Sequence, residues 1–138
     1  HTQKLTLADD SGLMVPALNG APGVHSARFA GPQKDDVLNN LKLLASLKGK
    51  QGVDRKAKFV CAIAVAKSNQ MITVVHGECD GLITQAPKGK FGFGYDPLFF
   101  DPQTGKTFGE MTRREKNKVS HRAKALAQLK GTLKNLLM

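Results

Sequence analysis

Two adjacent carboxylates, Asp9 and Asp10, follow an apolar run and stand directly before Ser11 and Gly12. Successive side chains of a strand point to opposite faces, so both carboxylates can serve one site only where the strand ends. A carboxylate beside a hydroxyl suits Mg²⁺ and a phosphate, because hard cations take oxygen ligands and hydroxyl and backbone N–H groups bind the anion. The competing interpretation is an Asx-turn that leads out of a strand.

A second group of candidate residues is the FGFGYD loop, residues 91–96. Its glycines allow a close approach to the backbone, Phe93 and Tyr95 offer flat surfaces, and Asp96 offers a hydrogen-bond acceptor. This combination suits a nucleobase. The alternative is a hydrophobic loop in which the glycines only form turns. The spacing of the glycines and the missing preceding strand exclude a dinucleotide-binding fingerprint.

A third candidate group combines Lys116 with the pair His121 and Arg122, close to the start of the predicted final helix. Cations and free N–H groups at a helix N-terminus bind phosphate or a carbonyl oxygen. The alternative is a charged pair on the surface. His25 and His76 lack ligand spacing with other His or Cys residues, so no zinc site is predicted.

The elements that must position these residues are predicted from hydrophobic periodicity and turn residues. They are a strand over 4–8, a loop over 12–31, a helix over 35–47, strands over 58–66 and 71–84 joined by a turn at 68–70, an irregular loop over 86–97, and a helix capped by Ser120. The helix stripes are Val37, Leu41, Leu44 and Leu47 in the first, and Leu126, Leu129, Leu133 and Leu136 in the last. We expect an α/β or α+β fold with a mixed sheet.

The composition favours one globular domain over residues 1–138, with 41% hydrophobic and 23% charged residues. No apolar run is long enough for a membrane span, and the sequence shows no secretion signal, so we expect a cytoplasmic protein. Cys61 and Cys79 are expected to be buried thiols in a reducing compartment. The net charge of +10 is concentrated near the end of the sequence and suggests a polyanionic partner.

Three motifs in order, ADDSGLMVPALNGAPGVHSARFAG, FGFGYDPLFF and EKNKVSHRAKAL, resemble the inosine/xanthosine triphosphate pyrophosphatase family. The resemblance covers nearly the whole chain. It implies Mg²⁺-dependent hydrolysis of ITP, dITP and XTP to the monophosphate and pyrophosphate, which removes deaminated purines from the nucleotide pool. It also implies a homodimer and an elongated α/β fold, with a mixed sheet, flanking helices and a cleft between two lobes.

The resemblance assigns roles to residues at the matching positions. Asp10 corresponds to the metal-binding and catalytic carboxylate, and Asp9 to the acidic position before it, which is the weaker candidate. The implied substrate-binding residues are Ser11, Phe93, Gly94, Tyr95, Asp96, Lys116, His121 and Arg122. Selection of a 6-keto purine requires donors to O6, which the backbone N–H groups of FGYDP, residues 93–97, and Arg122 could supply.

The chain departs from the family pattern at its beginning. The family's first strand, its phosphate-binding [ST]GNxxK loop and the following helix have no counterpart, so the sequence resembles the C-terminal two thirds of a family member. This leaves a second hypothesis, a catalytically impaired family member that binds nucleotide or self-associates without turnover. A third hypothesis, a basic nucleic-acid-binding module, is ranked last because the basic segment lacks interleaved aromatic residues.

Overall fold

Three long antiparallel strands form the centre of a six-stranded sheet in the computed structural model, which describes residues 5–68 and 70–136. The strand order is β2-β1-β3-β4-β5-β6, and every described pair is antiparallel. The strands are β1 Leu5–Met14, β2 Pro22–Gly23, β3 Lys56–Lys67, β4 Gln70–Ile83, β5 Phe99–Asp101 and β6 Lys106–Thr107. The helices are α1 Asp36–Ser46, α2 Arg113–Val119 and α3 His121–Leu136. The expected α/β class, a sheet with flanking helices, is confirmed, but the described sheet is antiparallel throughout rather than mixed.

The first strand corrects the prediction that a strand ends at the two aspartates. β1 continues to Met14, and its ten residues pair with β3 from Lys67 to Lys58. The Ser11–Gly12 step is therefore not a turn. Gly12 pairs with Val60 of β3, and a side chain is excluded there because the Gly23 carbonyl oxygen lies 2.7 Å from the place where a Cβ would stand. The Asx-turn interpretation of this motif is wrong, and Lys4 of the predicted strand lies outside the described residues.

The predicted hairpin of two buried strands is confirmed as β3 and β4. Alternate residues of β3 are buried, which places one face of this strand in the core. The register shift lies between Val65 and Ala66 of β3, and not at Gly77 or Gly81 of β4. Those two glycines pair regularly and instead make room for α3 and β5, respectively. The predicted turn at 68–70 includes residue 69, which lies outside the described residues.

Helix α1 begins after Asp35, whose carboxylate accepts a hydrogen bond from the Leu38 N–H at 3.1 Å. Its buried face is only partly the predicted one: Leu47 after the helix is buried, whereas Val37 and Leu41 are exposed. A polar residue takes the corresponding place in the core. The buried Asn39 amide accepts from the Ala30 N–H and donates to the Ala27 carbonyl, which holds the preceding loop against the helix.

Helices α2 and α3 meet at Ser120, which ends the first and caps the second. The Ser120 hydroxyl accepts from the Ala123 N–H at 3.1 Å, as the sequence predicted. α3 packs Ala125 and Leu129 against the buried face of β3 and β4. Leu126, predicted in the same stripe, is 49% exposed, and the side chain of Leu136 lies outside the described set.

Both cysteines are buried free thiols, as predicted. No helix within 5–68 or 70–136 has the length and hydropathy required to cross a membrane.

Candidate functional site

A cavity of about 1040 Å³ opens where β1, the start of α1, the FGFGYD loop and the α2–α3 junction meet. Residues far apart in the sequence line it because the long central strands bring these four elements together. The lining includes Ser11, Asp36, Phe93, Gly94, Tyr95, Asp96, Lys116, His121 and Arg122. This set contains every substrate-binding residue that the resemblance assigned.

Asp96 holds the FGFGYD loop in shape from inside. Its side chain is buried, and its Oδ2 accepts from the Phe93 N–H at 3.0 Å and from Lys116 Nζ at 2.6 Å. Gly92 is required at its position because it has a φ of 77° and because a Cβ there would overlap the Asp96 carboxylate. The Asp96–Lys116 pair therefore fixes the loop to α2.

Phe93 is one of two exposed aromatic rings in the cavity lining, the other being Phe91, and it is the one that lies beside two cations. The ring is 63% exposed, with Lys116 Nζ 4.7 Å and Arg122 Cζ 5.9 Å from its centroid. Cations at these distances are attracted by the ring quadrupole. An exposed aromatic surface with two cations beside it suits a flat ligand that carries negative charge.

Tyr95 corrects the expectation of a second flat surface for a ligand. Its ring is buried in the main hydrophobic cluster, and its hydroxyl donates to the Ser26 carbonyl at 2.6 Å. Burial, and to a smaller extent Asp36, raise the pKa of the Tyr95 phenol. The phenol thus anchors the loop to the segment after β2, and its ring offers no free surface for a ligand.

The backbone N–H groups of residues 93–96 are mostly occupied. The Phe93 N–H donates to Asp96, the Gly94 N–H donates to Asp36 Oδ2 at 2.9 Å, and the Asp96 N–H donates to the Phe93 carbonyl. Within the described part of the chain, only the Tyr95 N–H of these four has no partner. The expected O6 donors are therefore reduced to the Tyr95 N–H and Arg122.

The two aspartates of β1 serve different faces of the sheet. Asp9 Oδ2 pairs with Arg122 Nε at 3.0 Å, and Asp9 Oδ1 lies 3.5 Å from both Ser11 Oγ and Cys61 Sγ. Because strand side chains alternate, Asp10 points to the other face. Its carboxylate is exposed and has no hydrogen-bond or ion-pair partner among the described residues. The structure thus joins Asp9, the weaker candidate, to the Arg122 side of the cavity.

His121 is the first residue of α3 and forms part of the cavity wall. Its ring stacks on Phe59 with a centroid distance of 4.6 Å, and its Nδ1 is buried without a partner in the described chain. Burial, followed by the positive charges of Arg122 and Lys116, lowers the pKa of His121 to about 4. The ring is therefore neutral at pH 7 and adds no charge to the basic wall.

No group of three or more His, Cys, Asp or Glu side chains within residues 5–68 and 70–136 is arranged to hold a metal ion. Asp10 offers a single free carboxylate. Mg²⁺ is commonly bound through one or two carboxylates together with substrate phosphates, so one carboxylate is compatible with such a site.

Sequence reasoning missed two residues of the site, Asp36 and Asn40 of α1. Asp36 accepts from the Gly94 N–H, and Asn40 Nδ2 donates to the Gly94 carbonyl at 3.0 Å. These contacts join residues 58 and 54 positions apart, so no local pattern could indicate them.

The sequence pattern of the Ham1 family matches residues 1–132 of the chain. The chain belongs to the Ham1 family. Within this family it is similar to the dITP/XTP pyrophosphatase of Desulforamulus reducens, with 52% identity over 98% of this chain and 67% of that protein. It is also similar to the dITP/XTP pyrophosphatase of Geobacillus kaustophilus, with 54% identity over 89% of this chain and 60% of that protein.

Solved structures of Ham1 proteins have the same fold. The Staphylococcus aureus Ham1 protein superimposes with a TM-score of 0.91 at 41% identity, over 96% of this chain and 68% of that one. The dITP/XTP pyrophosphatase of Mycobacterium abscessus gives 0.80 at 46% identity, over 94% and 68%. The chain spans about two thirds of the length of these relatives, from 60% to 68%. The roles assigned to individual site residues remain predictions.

Proposed function

We propose that the chain hydrolyses deaminated purine nucleoside triphosphates, ITP, dITP and XTP, to the monophosphate and pyrophosphate. The observation that carries this proposal is the exposed Phe93 ring beside Lys116 and Arg122, at a cavity of about 1040 Å³. A cavity of this size accommodates a nucleotide. The similarity to Ham1 relatives that are dITP/XTP pyrophosphatases supports the same reaction.

The base binds on the exposed face of Phe93. The Arg122 guanidinium and the Tyr95 N–H supply donors to the 6-keto oxygen of hypoxanthine or xanthine. Adenine has an amino group at this position, and its binding would leave those donors without an acceptor. An unpaired buried donor costs about 1–3 kcal/mol, which is enough to favour deaminated purines.

The polyphosphate lies along the basic side of the cavity. A triphosphate carries several negative charges, and Lys116 and Arg122 attract it together with the net charge of +10. The Ser11 hydroxyl donates to a phosphate oxygen, and neutral His121 offers a hydrogen bond without adding charge. Asp9 keeps Arg122 in place through the 3.0 Å ion pair.

Asp10 is the proposed metal-binding and catalytic carboxylate. It lies across β1 from Ser11, next to the edge of β1 that has no partner strand from Leu5 to Gly12 within the described residues. A triphosphate that reaches over this edge brings its phosphates near Asp10. When bound, Mg²⁺ would neutralise phosphate charge as the α–β bridge breaks. Asp10 also orients the attacking water or accepts its proton.

The chain is further proposed to act in the cytoplasm as a homodimer. Two buried free thiols suit a reducing compartment. The unpaired edge of β1 carries exposed Leu5 and Leu7, and such an edge favours pairing with a second chain. Light scattering after size-exclusion chromatography tests this: a mass twice 14.9 kDa supports the dimer, and a monomer mass contradicts it.

Equilibrium binding tests the proposal before any turnover is measured. Titration of the folded chain with ITP and with ATP, each with millimolar Mg²⁺, should show tighter binding of ITP. Equal affinity for the two nucleotides would contradict the proposed selection of the 6-keto group.

A further inference from the structure

We infer that Asp36 and Asn40 of α1 are positioning residues for the FGFGYD loop and thereby determine how well the cavity distinguishes purine bases. The effect on base selection rests on the proposed function. The positioning itself does not. Both residues act through Gly94, which lies between the exposed Phe93 and the buried Tyr95.

The two side chains bind both polar groups of one residue. The Gly94 N–H donates to Asp36 Oδ2 at 2.9 Å, and Asn40 Nδ2 donates to the Gly94 carbonyl at 3.0 Å. Asp36 and Asn40 are four residues apart in α1, so their side chains share one face of the helix. Helix α1 is itself held to the core through buried Leu43. It therefore fixes the loop through two hydrogen bonds to Gly94.

The loop depends on this contact at its apex. Gly94 has a φ of 60° and no atoms within 4 Å of its Cβ position, so packing does not hold it. In the described chain, its N–H and carbonyl have no other hydrogen-bond partner. Asp96 fixes the Phe93 side of the loop, and without α1 the peptide at Gly94 would be free to rotate.

Asn40 is arranged for this single contact. Its Oδ1 is buried and has no partner among the described residues, which is an unfavourable state for an amide oxygen. The amide is therefore oriented by its bond to the Gly94 carbonyl. Asp36 lines the cavity as a carboxylate, an unfavourable choice for a basic site that takes an anion unless it is needed as an acceptor.

The contacts of α1 with Gly94 affect the groups of the loop that are proposed to bind the base. The orientation of the Gly94 peptide determines where the Phe93 ring lies relative to Lys116 and Arg122. It also fixes the Tyr95 N–H, which among the backbone N–H groups of residues 93–96 is the one without a partner in the described chain. A change in α1 thus alters base recognition although neither Asp36 nor Asn40 needs to contact the base.

Tyr95 provides a readout that requires no nucleotide. The chain has one tyrosine and no tryptophan, so its intrinsic fluorescence reports on Tyr95 alone. The test compares acrylamide quenching in the full chain for Asn40→Leu and Asp36→Ala, with Asp36→Asn as the conservative variant that keeps an acceptor. Ser46→Ala, at the other end of α1, is the control because its hydroxyl contacts only the helix carbonyl of Lys42.

We expect greater quenching in Asn40→Leu and Asp36→Ala, and parent values in Asp36→Asn and Ser46→Ala. In Asn40→Leu and Asp36→Ala, KM for ITP should rise about threefold to tenfold with kcat little changed, which is the effect expected from the loss of one or two hydrogen bonds. The preference for ITP over ATP should fall with it.

Unchanged quenching in folded Asn40→Leu and Asp36→Ala would overturn the positioning role, whatever the nucleotide results are. Greater quenching with unchanged KM and selectivity would overturn the link to base selection. If the parent chain does not hydrolyse ITP, the proposed function fails, and the fluorescence comparison still decides the positioning role.

Discussion

The two neighbouring carboxylates of β1 have different surroundings because a strand alternates its side chains between two faces. Asp9 lies on the α3 side, where it pairs with Arg122, and Asp10 lies on the other face, exposed and without a partner among the described residues. An ion pair between half-exposed groups contributes at most about 1 kcal/mol to stability. Neither carboxylate therefore contributes much to stability, and we expect the two residues to differ in function.

Asp10→Asn should abolish Mg²⁺-dependent turnover and leave the free energy of unfolding unchanged, because the lost charge has no partner in the part of the chain that the structure describes. Asp9→Asn is the matched comparison. It should mainly raise KM by releasing Arg122. Initial rates and urea unfolding of both variants check this, and full activity in Asp10→Asn would show that the proposed role of Asp10 is wrong.

Phe93→Ala should raise KM for ITP and weaken the preference for ITP over ATP, because the exposed stacking surface is lost. Stability should change little since the ring is mostly exposed. Val53→Ala removes a comparably exposed apolar side chain outside the cavity and serves as the control. Selectivity equal to that of the parent would contradict the stacking role.

His121 makes stability depend on pH. Its pKa is lowered to about 4 in the folded chain from 6.5, so the unfolded chain binds the proton more readily between these values. Stability is fully present above pH 6.5 and is lost as the pH falls toward 4, by roughly 3 kcal/mol at most.

Variant His121→Phe keeps the ring against Phe59 and cannot titrate. The difference in unfolding free energy between parent and variant should therefore shift in favour of the variant as the pH falls from about 7 to about 5. Urea unfolding at several pH values measures it, and a difference that is independent of pH would contradict the neutral, buried state of His121.

At the scale of elements, α3 lies directly against β4 at Gly77. A Cβ on Gly77 would overlap the backbone of α3 at the His121 carbonyl and the Ala125 N–H. This glycine lets the start of α3, and with it His121 and Arg122, lie directly on the sheet. The side-chain cluster of Cys61, Ile63 and Val75 with Leu129 then fills the space along the helix.

Gly77→Ala should destabilise the chain by about 1–3 kcal/mol or more, because the backbone of α3 must move away from the sheet. It should also reduce ITP turnover, since His121 and Arg122 move with the helix. Gly131→Ala, in the same helix with open space around its Cβ position, should instead stabilise by about 0.5–1 kcal/mol. Thermal unfolding measures both, and equal melting temperatures for the two variants would contradict this packing.

The elements with strong periodicity could be predicted from the sequence. The β3–β4 hairpin and α1 follow from apolar runs, alternation and the Asp35 cap. The continuation of β1 past Asp10 could not, because Ser11–Gly12 has the composition of a turn and only pairing with β3 keeps it extended. Helix α2 was missed because it has no apolar stripe, although the capping box of Thr112 and Glu115 is visible in the sequence.

The site was predictable at the level of motifs and not at the level of contacts. The three motifs do meet at one cavity. The burial of Tyr95 depends on the Ser26 carbonyl, 69 residues away, and the hold on Gly94 depends on α1. Such contacts follow from the tertiary arrangement, which local patterns do not encode.

At the scale of the whole molecule, charge is the dominant property. A net charge of +10 attracts polyanions over distances that salt shortens. This property alone does not distinguish a nucleotide site from a nucleic-acid surface. A nucleotide site and a nucleic-acid surface differ in how steeply salt weakens binding and in whether single-stranded DNA competes with the nucleotide.

KM for ITP should rise between about 0.05 M and about 0.5 M salt, with kcat nearly constant, because screening weakens the encounter rather than the chemistry. Single-stranded DNA should compete only weakly at about 0.15 M salt. Steady-state kinetics with and without DNA test this. Strong inhibition by DNA that disappears steeply with salt would favour the nucleic-acid module.

The most direct test of the central claim is pyrophosphate release from ITP, with ATP as the control, by the folded chain at millimolar Mg²⁺. The proposed function predicts release from ITP well above release from ATP. No release from ITP, or equal release from both nucleotides, would contradict it.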